Sequence, residues 1–441
     1  MSDRLSAIAR FTKTHAGKAR AVSICGKVCE AGTSHLRVRG LSCFATPGDM
    51  INVMGEQRAE LAEIVQIEAD SVLAIPYEKR SGVRLGARAM LTGRPSIRPH
   101  SSWLGRVIDP LGTPVDDGGA LTAGAEPVTL DGEPPRAMER NRVLQPLRTG
   151  IKAIDAFMPI CTGQRIGIFA GTGVGKSTLL AMFAQVPDVS VVVLALVGER
   201  GREVREFLED VLGARRARVI AVVSTGDDSA ALRRNAAKTA MTLAEYFRDR
   251  SERVLLMIDS VTRFAHAQRE YALSAGEPAV ARGYPPSVFA ETAKLLERAG
   301  PGPRGMGDIT MIATVLVDGD DHNDPIADAA RGILDGHIVL DRKIAATGRW
   351  PAIDLLASLS RLAPKAWTTA EQSVVQSARA TIARFEDTRD LRMIGGYQPG
   401  SDPELDQAVA LTPKLYDMLK QRPDDIGSEG IIAQIAGLLR L

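Results

Sequence analysis

Aromatic side chains are scarce, at 4% of 441 residues, and the stretch 21–92 holds only Phe44 and Tyr77. Few ring faces are therefore offered to unpaired bases, which argues against a stacking platform for single-stranded nucleic acid. Charge of one sign is also missing: 55 basic and 53 acidic residues leave a net +2, too little to draw the chain to nucleic acid or anionic lipid. Cysteine is limited to Cys25, Cys29, Cys43 and Cys161. Cys25 and Cys29 stand four apart without a second pair at zinc-ligand spacing, so buried, reduced thiols are expected. No apolar run reaches membrane-spanning length, and the first twenty residues contain no continuous apolar segment of secretory type. A cytoplasmic protein fits these absences.

What is present is an ordinary globular mixture, 45% hydrophobic and 24% charged, in a chain long enough for two or three domains. Residues 1–20 place Leu5, Ile8 and Phe11 on one helical face, readable as a partner-docking helix or as a frayed terminus. Residues 21–92 read as short strands, with candidates at 35–39, 50–54, 61–66 and 71–75 separated by turns such as Pro47-Gly48-Asp49, a pattern that suggests a small β-barrel. Residues 93–150 are Pro- and Gly-rich and irregular. From about Gly150, apolar runs at 165–169, 190–197, 219–223, 254–258, 309–317 and 338–340 alternate with helical stretches. Runs that are apolar on both faces, alternating with helices, predict an α/β fold with a parallel sheet. Beyond residue 367 the spacing is helical, over 369–392, 403–421 and 430–441, with Gly395-Gly396 as a break.

The string RIGIFAGTGVGKST at 165–178 is a strand, a glycine-rich turn and a helix start. Backbone N–H groups from Gly171, Thr172, Gly173, Val174, Gly175, Lys176, Ser177 and Thr178 can wrap phosphate oxygens, because the three glycines permit close approach and unusual dihedrals. The helix beginning near Lys176 adds its positive dipole end. Lys176 is suited to the terminal phosphates and Ser177 to Mg²⁺, which points to ATP. The strict pattern has glycine where this chain has Ala170, at the strand exit.

An apolar strand ending in Asp259 sets a carboxylate at the carboxyl edge of the sheet, where it would hold the metal beside Ser177; alone, such an acid often just caps a turn, but behind a phosphate loop the metal role is favoured. Another strand ends in Gly198-Glu199-Arg200-Gly201-Arg202-Glu203. Spacing leaves two readings of Glu199 open: an orienting base for water, or an acid favoured at a helix N-terminus.

Together these strings resemble the rotary ATPases of the ATP synthase α/β family over nearly the whole chain, and within it the type III secretion ATPases, especially the flagellum-specific kind. The resemblance rests on LGRVIDPLG (104–112), FAGTGVGKS (169–177), GERGREV (198–204), ILDGHIVL (333–340) and His322-Asn323-Asp324-Pro325, with Gly201 where synthase β subunits usually have Thr. It implies a RecA-like P-loop NTPase core (93–367) between an N-terminal β-barrel (21–92) and a C-terminal helical domain (368–441). It also implies that Glu199 is the catalytic glutamate and that Arg200 helps arrange the site. Arg361, in Ser358-Leu359-Ser360-Arg361, becomes an arginine finger supplied across a subunit boundary. Trp350 stands where the family usually has an adenine-stacking Tyr, and Tyr397 is a second candidate wall; either aromatic can instead be core.

The machine so implied is a homohexamer with interfacial sites, a barrel collar, and C-terminal helices facing a central stalk protein. A stator-like regulator would bind the N-terminus. Export gate membrane proteins, export substrates and chaperones complete the partners, with no nucleic acid and with peripheral attachment to the inner membrane through the gate. Three other readings share parts of this pattern: a virulence-type secretion ATPase, an RNA-driven hexameric motor, and a ring subunit that binds nucleotide without turnover.

Overall fold

The computed structural model describes residues 22–440 apart from 33, 57, 79–81, 144 and 318–323. The stretch with Leu5, Ile8 and Phe11, and the residues His322 and Asn323, lie outside the described residues. The chain forms two compact units, Met1–Pro95 and Ser96–Leu441.

In the first unit six antiparallel strands close into a barrel in the order Cys25–Ala31, Leu36–Arg39, Ser71–Pro76, Ala59–Ile67, Met50–Met54 and Arg88–Gly93, the last pairing back to the first. Alternating side chains such as Val28, Val38, Ile51, Val53, Ile64 and Leu91 fill its interior. The two strands that close it carry weaker signals. CGKVCEA has Gly26 as its second residue, where a side chain would strike the Arg39 carbonyl, and RAMLTG buries only Ala89 and Leu91. Tyr77 is inside the unit, its hydroxyl bonded to Glu63, while Phe44 is exposed.

The second unit is built on one sheet. Its strands run Ile353–Ser360, Gly336–Leu340, Arg165–Ala170, Asp308–Leu316, Arg253–Asp259, Val191–Glu199, Val219–Thr225 and Val107–Ile108. All six predicted apolar runs are here and pair in parallel. The sheet is not wholly parallel, however: Ile353–Ser360 runs antiparallel to Gly336–Leu340 at one edge. Its half-exposed face gives it no continuous apolar run for a sequence reader to find.

Val191–Glu199 is buried along its whole length, and its side chains divide by parity. Val192, Leu194 and Leu196 join one core with Leu180 and Phe183 of the helix Lys176–Phe183. Val191, Val193, Ala195 and Val197 join the other, against helices Ala230–Arg248, Val261–Ser274 and Pro286–Arg298. The C-terminal helices Thr369–Asp387, Pro403–Leu419 and Ile431–Leu439 form as the spacing predicts, but they do not stand apart. Val375, Ile382, Leu415 and Ile435 share the core of the phosphate-loop helix, so the helical region belongs to the same compact unit as the sheet.

Candidate active site

The strand Arg165–Ala170 is apolar because both its faces are covered; its last residue, Ala170, pairs with Leu316 on one side and Leu340 on the other. Its methyl group is buried there, so the strand exit accommodates alanine where the strict loop pattern has glycine. The chain then turns sharply. Gly173 and Gly175 have φ of 75° and 87°, a region costly for any residue with a Cβ. A Cβ on Gly175 would also lie 2.5 Å from Cζ3 of Trp350. Val174 points its side chain into the core, leaving only its backbone at the loop.

The helix Lys176–Phe183 has Gly175 at its N-cap, with no side chain bonded to its first-turn N–H groups and no acid in that turn. Unpaired N–H groups and a positive dipole end facing one cleft make an anion site. The cleft holds about 490 Å³ and is lined by Gly171 to Gly173, Gly175 to Thr178, Glu199, Arg200, Glu203, Phe207, Asp259 and Arg263 among others.

Adjacent strands deliver the acids. The register Leu196↔Asp259 brings the carboxyl ends of Val191–Glu199 and Arg253–Asp259 side by side, next to the loop. Lys176 Nζ lies 2.6 Å from Asp259 Oδ1 and 3.6 Å from Glu199 Oε1. Thr314 Oγ1 donates to Asp259 Oδ1 at 2.7 Å. Burial pushes the Glu199 carboxyl above the usual carboxylate range; Lys176 opposes this, Asp259 adds to it and Arg263 opposes it in turn. Glu199 Oε1 is buried without a well-aligned hydrogen bond, an acceptor suited to a water positioned in the cleft.

Two contributors escaped sequence reading. Arg263 donates to the Gly198 carbonyl at 2.7 Å, and its Nε lies 3.2 Å from Glu199 Oε1. Thr314 sits in the middle of an apolar strand. The signal for Arg263 was its place four residues after Asp259, in the first turn of Val261–Ser274, where the Ser260 hydroxyl accepts from its N–H. Only the strand register could reveal Thr314.

The remaining predicted residues fall in different places. Ser177 and Thr178 are exposed at the mouth of the cleft. Arg200 lines it while its guanidinium bonds Glu203 at 3.2 Å. Trp350 packs on the Gly175 turn from outside, 40% exposed. Tyr397 does not line the cleft: its hydroxyl donates to Asp406 of the helix Pro403–Leu419 at 2.6 Å. Arg361 is not at this cleft either. It follows the antiparallel strand, so it emerges at the sheet edge opposite the phosphate loop, where its N–H meets the Asp335 carbonyl. A strand of about six residues, some 20 Å, separates that edge from the loop.

The residues present fit Mg²⁺ that arrives with a nucleotide. Among the described residues no group of three or more His, Cys, Asp or Glu could hold a metal. Magnesium in phosphate sites needs only one or two protein oxygens, such as those of Ser177 and Asp259, the rest coming from phosphate and water.

A mainly parallel sheet whose carboxyl edge carries an uncapped glycine turn, a lysine and two acids defines a P-loop ATPase. Sequence comparison then narrows the class. The pattern of the ATP synthase alpha/beta family nucleotide-binding domain matches residues 150–360, and that of the T3SS EscN ATPase C-terminal domain matches 367–428. The flagellum-specific ATP synthase of Agrobacterium fabrum (strain C58) is 49% identical over 440 residues, covering 100% of this chain and 93% of that one. The assembled ATPase EscN of the enteropathogenic E. coli type III secretion system superposes with a TM-score of 0.88 at 41% identity, over 94% of this chain and 100% of EscN. EscN in complex with its central stalk EscO gives 0.86 at 40% identity, over the same shares. The chain belongs to the ATP synthase alpha/beta family and is an ATPase of its type III secretion branch. Of the two kinds in that branch, the flagellar one is the better supported, by its higher identity over the whole chain.

Proposed function

We propose that this chain hydrolyses ATP at the subunit boundaries of a homohexamer and so energises protein export by a flagellar type III secretion apparatus. One observation carries the shared-site reading: Arg361 stands at the sheet edge remote from its own phosphate loop. An exposed arginine in that position can complete only a neighbour's cleft, and a closed ring is the symmetric way for every cleft to be completed. The assembled state of EscN supports the same reading.

Within one cleft the loop N–H groups from Gly171 to Thr178 and the ammonium of Lys176 bind the phosphates. Glu199 accepts a hydrogen bond from the attacking water and aims it in line with the γ-phosphate. Arg263 fixes the Glu199 carboxylate, and Arg200 arranges the rim. Trp350 offers its indole as an adenine wall. Ser177 and Asp259 would hold Mg²⁺, which screens charge on the transferring phosphoryl group. Arg361 of the adjoining subunit stabilises that charge as the bond to ADP breaks.

The barrel serves as a collar and the C-terminal helices meet a stalk partner; the EscN complex with its central stalk EscO supports a partner of that kind. The first twenty residues receive a stator-like regulator. Export gate proteins, chaperones and cargo are the further partners, and the gate brings the ring to the membrane. Among the described residues no helix is long and apolar enough to cross a membrane. The likeness to EscN favours a second reading, an injectisome ATPase with the same chemistry. Deletion of the gene decides between them: loss of motility supports the flagellar role, and a normally swimming mutant refutes it.

A further inference from the structure

Arg361 is exposed and long, yet a guanidinium must meet a phosphoryl group within a fraction of an ångström to be effective. Its backbone N–H donates to the Asp335 carbonyl at 2.9 Å, and its Nη2 donates to the Arg331 carbonyl at 3.1 Å. Both anchors lie in one short segment, 331–335. That segment is fastened to the strand Arg165–Ala170. The Asp335 carboxylate accepts three hydrogen bonds from Arg165: from its N–H at 3.0 Å, from Nε at 3.1 Å and from Nη2 at 3.2 Å. The Arg331 guanidinium lies 4.6 Å over the ring of Phe169. Gln164, fully buried, joins both sides of the arginine: its Nε2 donates to the Asp335 carbonyl at 3.1 Å and to Ser360 Oγ at 3.0 Å. Its Oε1 accepts from the Cys161 N–H at 2.8 Å, which fixes the amide's orientation.

We propose that Asp335 and Gln164 are positioning residues that tie the arginine one subunit lends its neighbour to the base of that subunit's own phosphate-loop strand. The proposal rests on the shared-site reading above. Arg165 begins the strand, and Ala170 at its end opens into Gly171. A parallel strand buried on both sides moves as a rigid body, so a shift of the loop on binding nucleotide is carried along the strand to Asp335 and on to Arg361. Each cleft thereby sets the pose of the arginine offered to the next, without any contact between that arginine and its own nucleotide.

The test uses the full chain carrying Asp335→Asn, which keeps size and backbone but removes the Asp335 charge from Arg165 and leaves that arginine its other partner, Glu297 at 2.7 Å. Steady-state phosphate release should show kcat lowered by about tenfold or more, as a misplaced group does. KM for ATP and binding of a fluorescent ATP analogue should stay within about twofold, because the variant's own cleft is intact. Mixing with Glu199→Gln, whose cleft is dead but whose arginine is held normally, should restore turnover at the Asp335→Asn clefts. Arg361→Ala mixed in the same way is the reference. If Arg361→Ala is rescued and Asp335→Asn keeps full activity, or loses it without rescue, the positioning role is overturned. If Arg361→Ala is not rescued, the shared site fails first and the proposal with it. Should Asp335→Asn lose its melting transition, Gln164→Met decides by the same measurements, and wild-type kcat there overturns the role.

Discussion

Glu199 gathers most of the chemistry into one side chain. It is buried between two cations and one acid, and burial holds its carboxyl above the ordinary range. A raised carboxyl keeps its proton to higher pH, so the acid limb of kcat/KM should lie above the value of about 4.3 for a free Glu. A pH–rate profile checks this, and a limb at or below that value would contradict it. The same shift bears on stability. The folded state holds this proton more tightly than the unfolded chain, so the Glu199 contribution to stability declines as pH rises from the unfolded pKa through the folded one. Glu199→Gln should therefore lower turnover by at least about a hundredfold while leaving the protein no less stable at neutral pH. Phosphate release and thermal melting measure the two effects separately. Arg263→Ala frees the carboxylate it holds and should reduce kcat with little change in nucleotide binding. Glu199 was legible in sequence only with the family pattern beside it. Arg263 was not, because one arginine on a helix of ordinary charge has no distinguishing period.

The glycine turn into the helix Lys176–Phe183 is the element on which the site depends. At Gly175 two constraints coincide, a φ of 87° and the Trp350 ring against the missing Cβ. Gly175→Ala should abolish nucleotide binding and cost at least about 1 kcal/mol of stability. Trp350→Ala in the same chain should relieve the clash but not the backbone strain, so stability returns only in part, while ATP binding, deprived of the adenine wall, does not. Thermal melting and isothermal titration with ATP follow the two effects. Elsewhere the helix Ala230–Arg248 is pinned by Arg298, 3% exposed, whose guanidinium bonds Glu245 at 2.6 Å and the Leu130 carbonyl at 2.7 Å. Arg298→Ala strands a buried carboxylate and should destabilise by about 3–5 kcal/mol, read as a lowered denaturant midpoint. Lys238, beside Asp131 and Glu291, adds a second tie. The Lys238 ion pair and the Arg298 hydrogen bond attach Asp131 and Leu130 of the Pro- and Gly-rich stretch, and that stretch looks like linker in sequence because its anchors lie more than a hundred residues away.

For the molecule as a whole, a site divided between subunits makes activity depend on assembly. Phosphate release per chain should climb steeply with protein concentration, and Arg361→Ala should remove about a thousandfold or more while ATP binding persists. Activity independent of concentration would refute the divided site. Apolar runs, glycine spacing and a lysine were readable along the chain because local backbone needs dictate them: a strand covered on both faces must be apolar, and a turn with positive φ favours glycine. The strands, the phosphate loop and the C-terminal helices were accordingly in view before any coordinates. The small barrel of residues 21–92 was in view as well, but which two strands close it, the antiparallel edge strand and the Thr314 contact to Asp259 were not. Tyr397 shows the same limit, an aromatic whose hydroxyl partner, Asp406, lies nine residues on and could not be read from spacing. The direction of the edge strand matters most. It places Arg361 at the far rim of the sheet, and strand direction is settled by pairing with Gly336–Leu340, a contact between segments whose order along the chain leaves either orientation open.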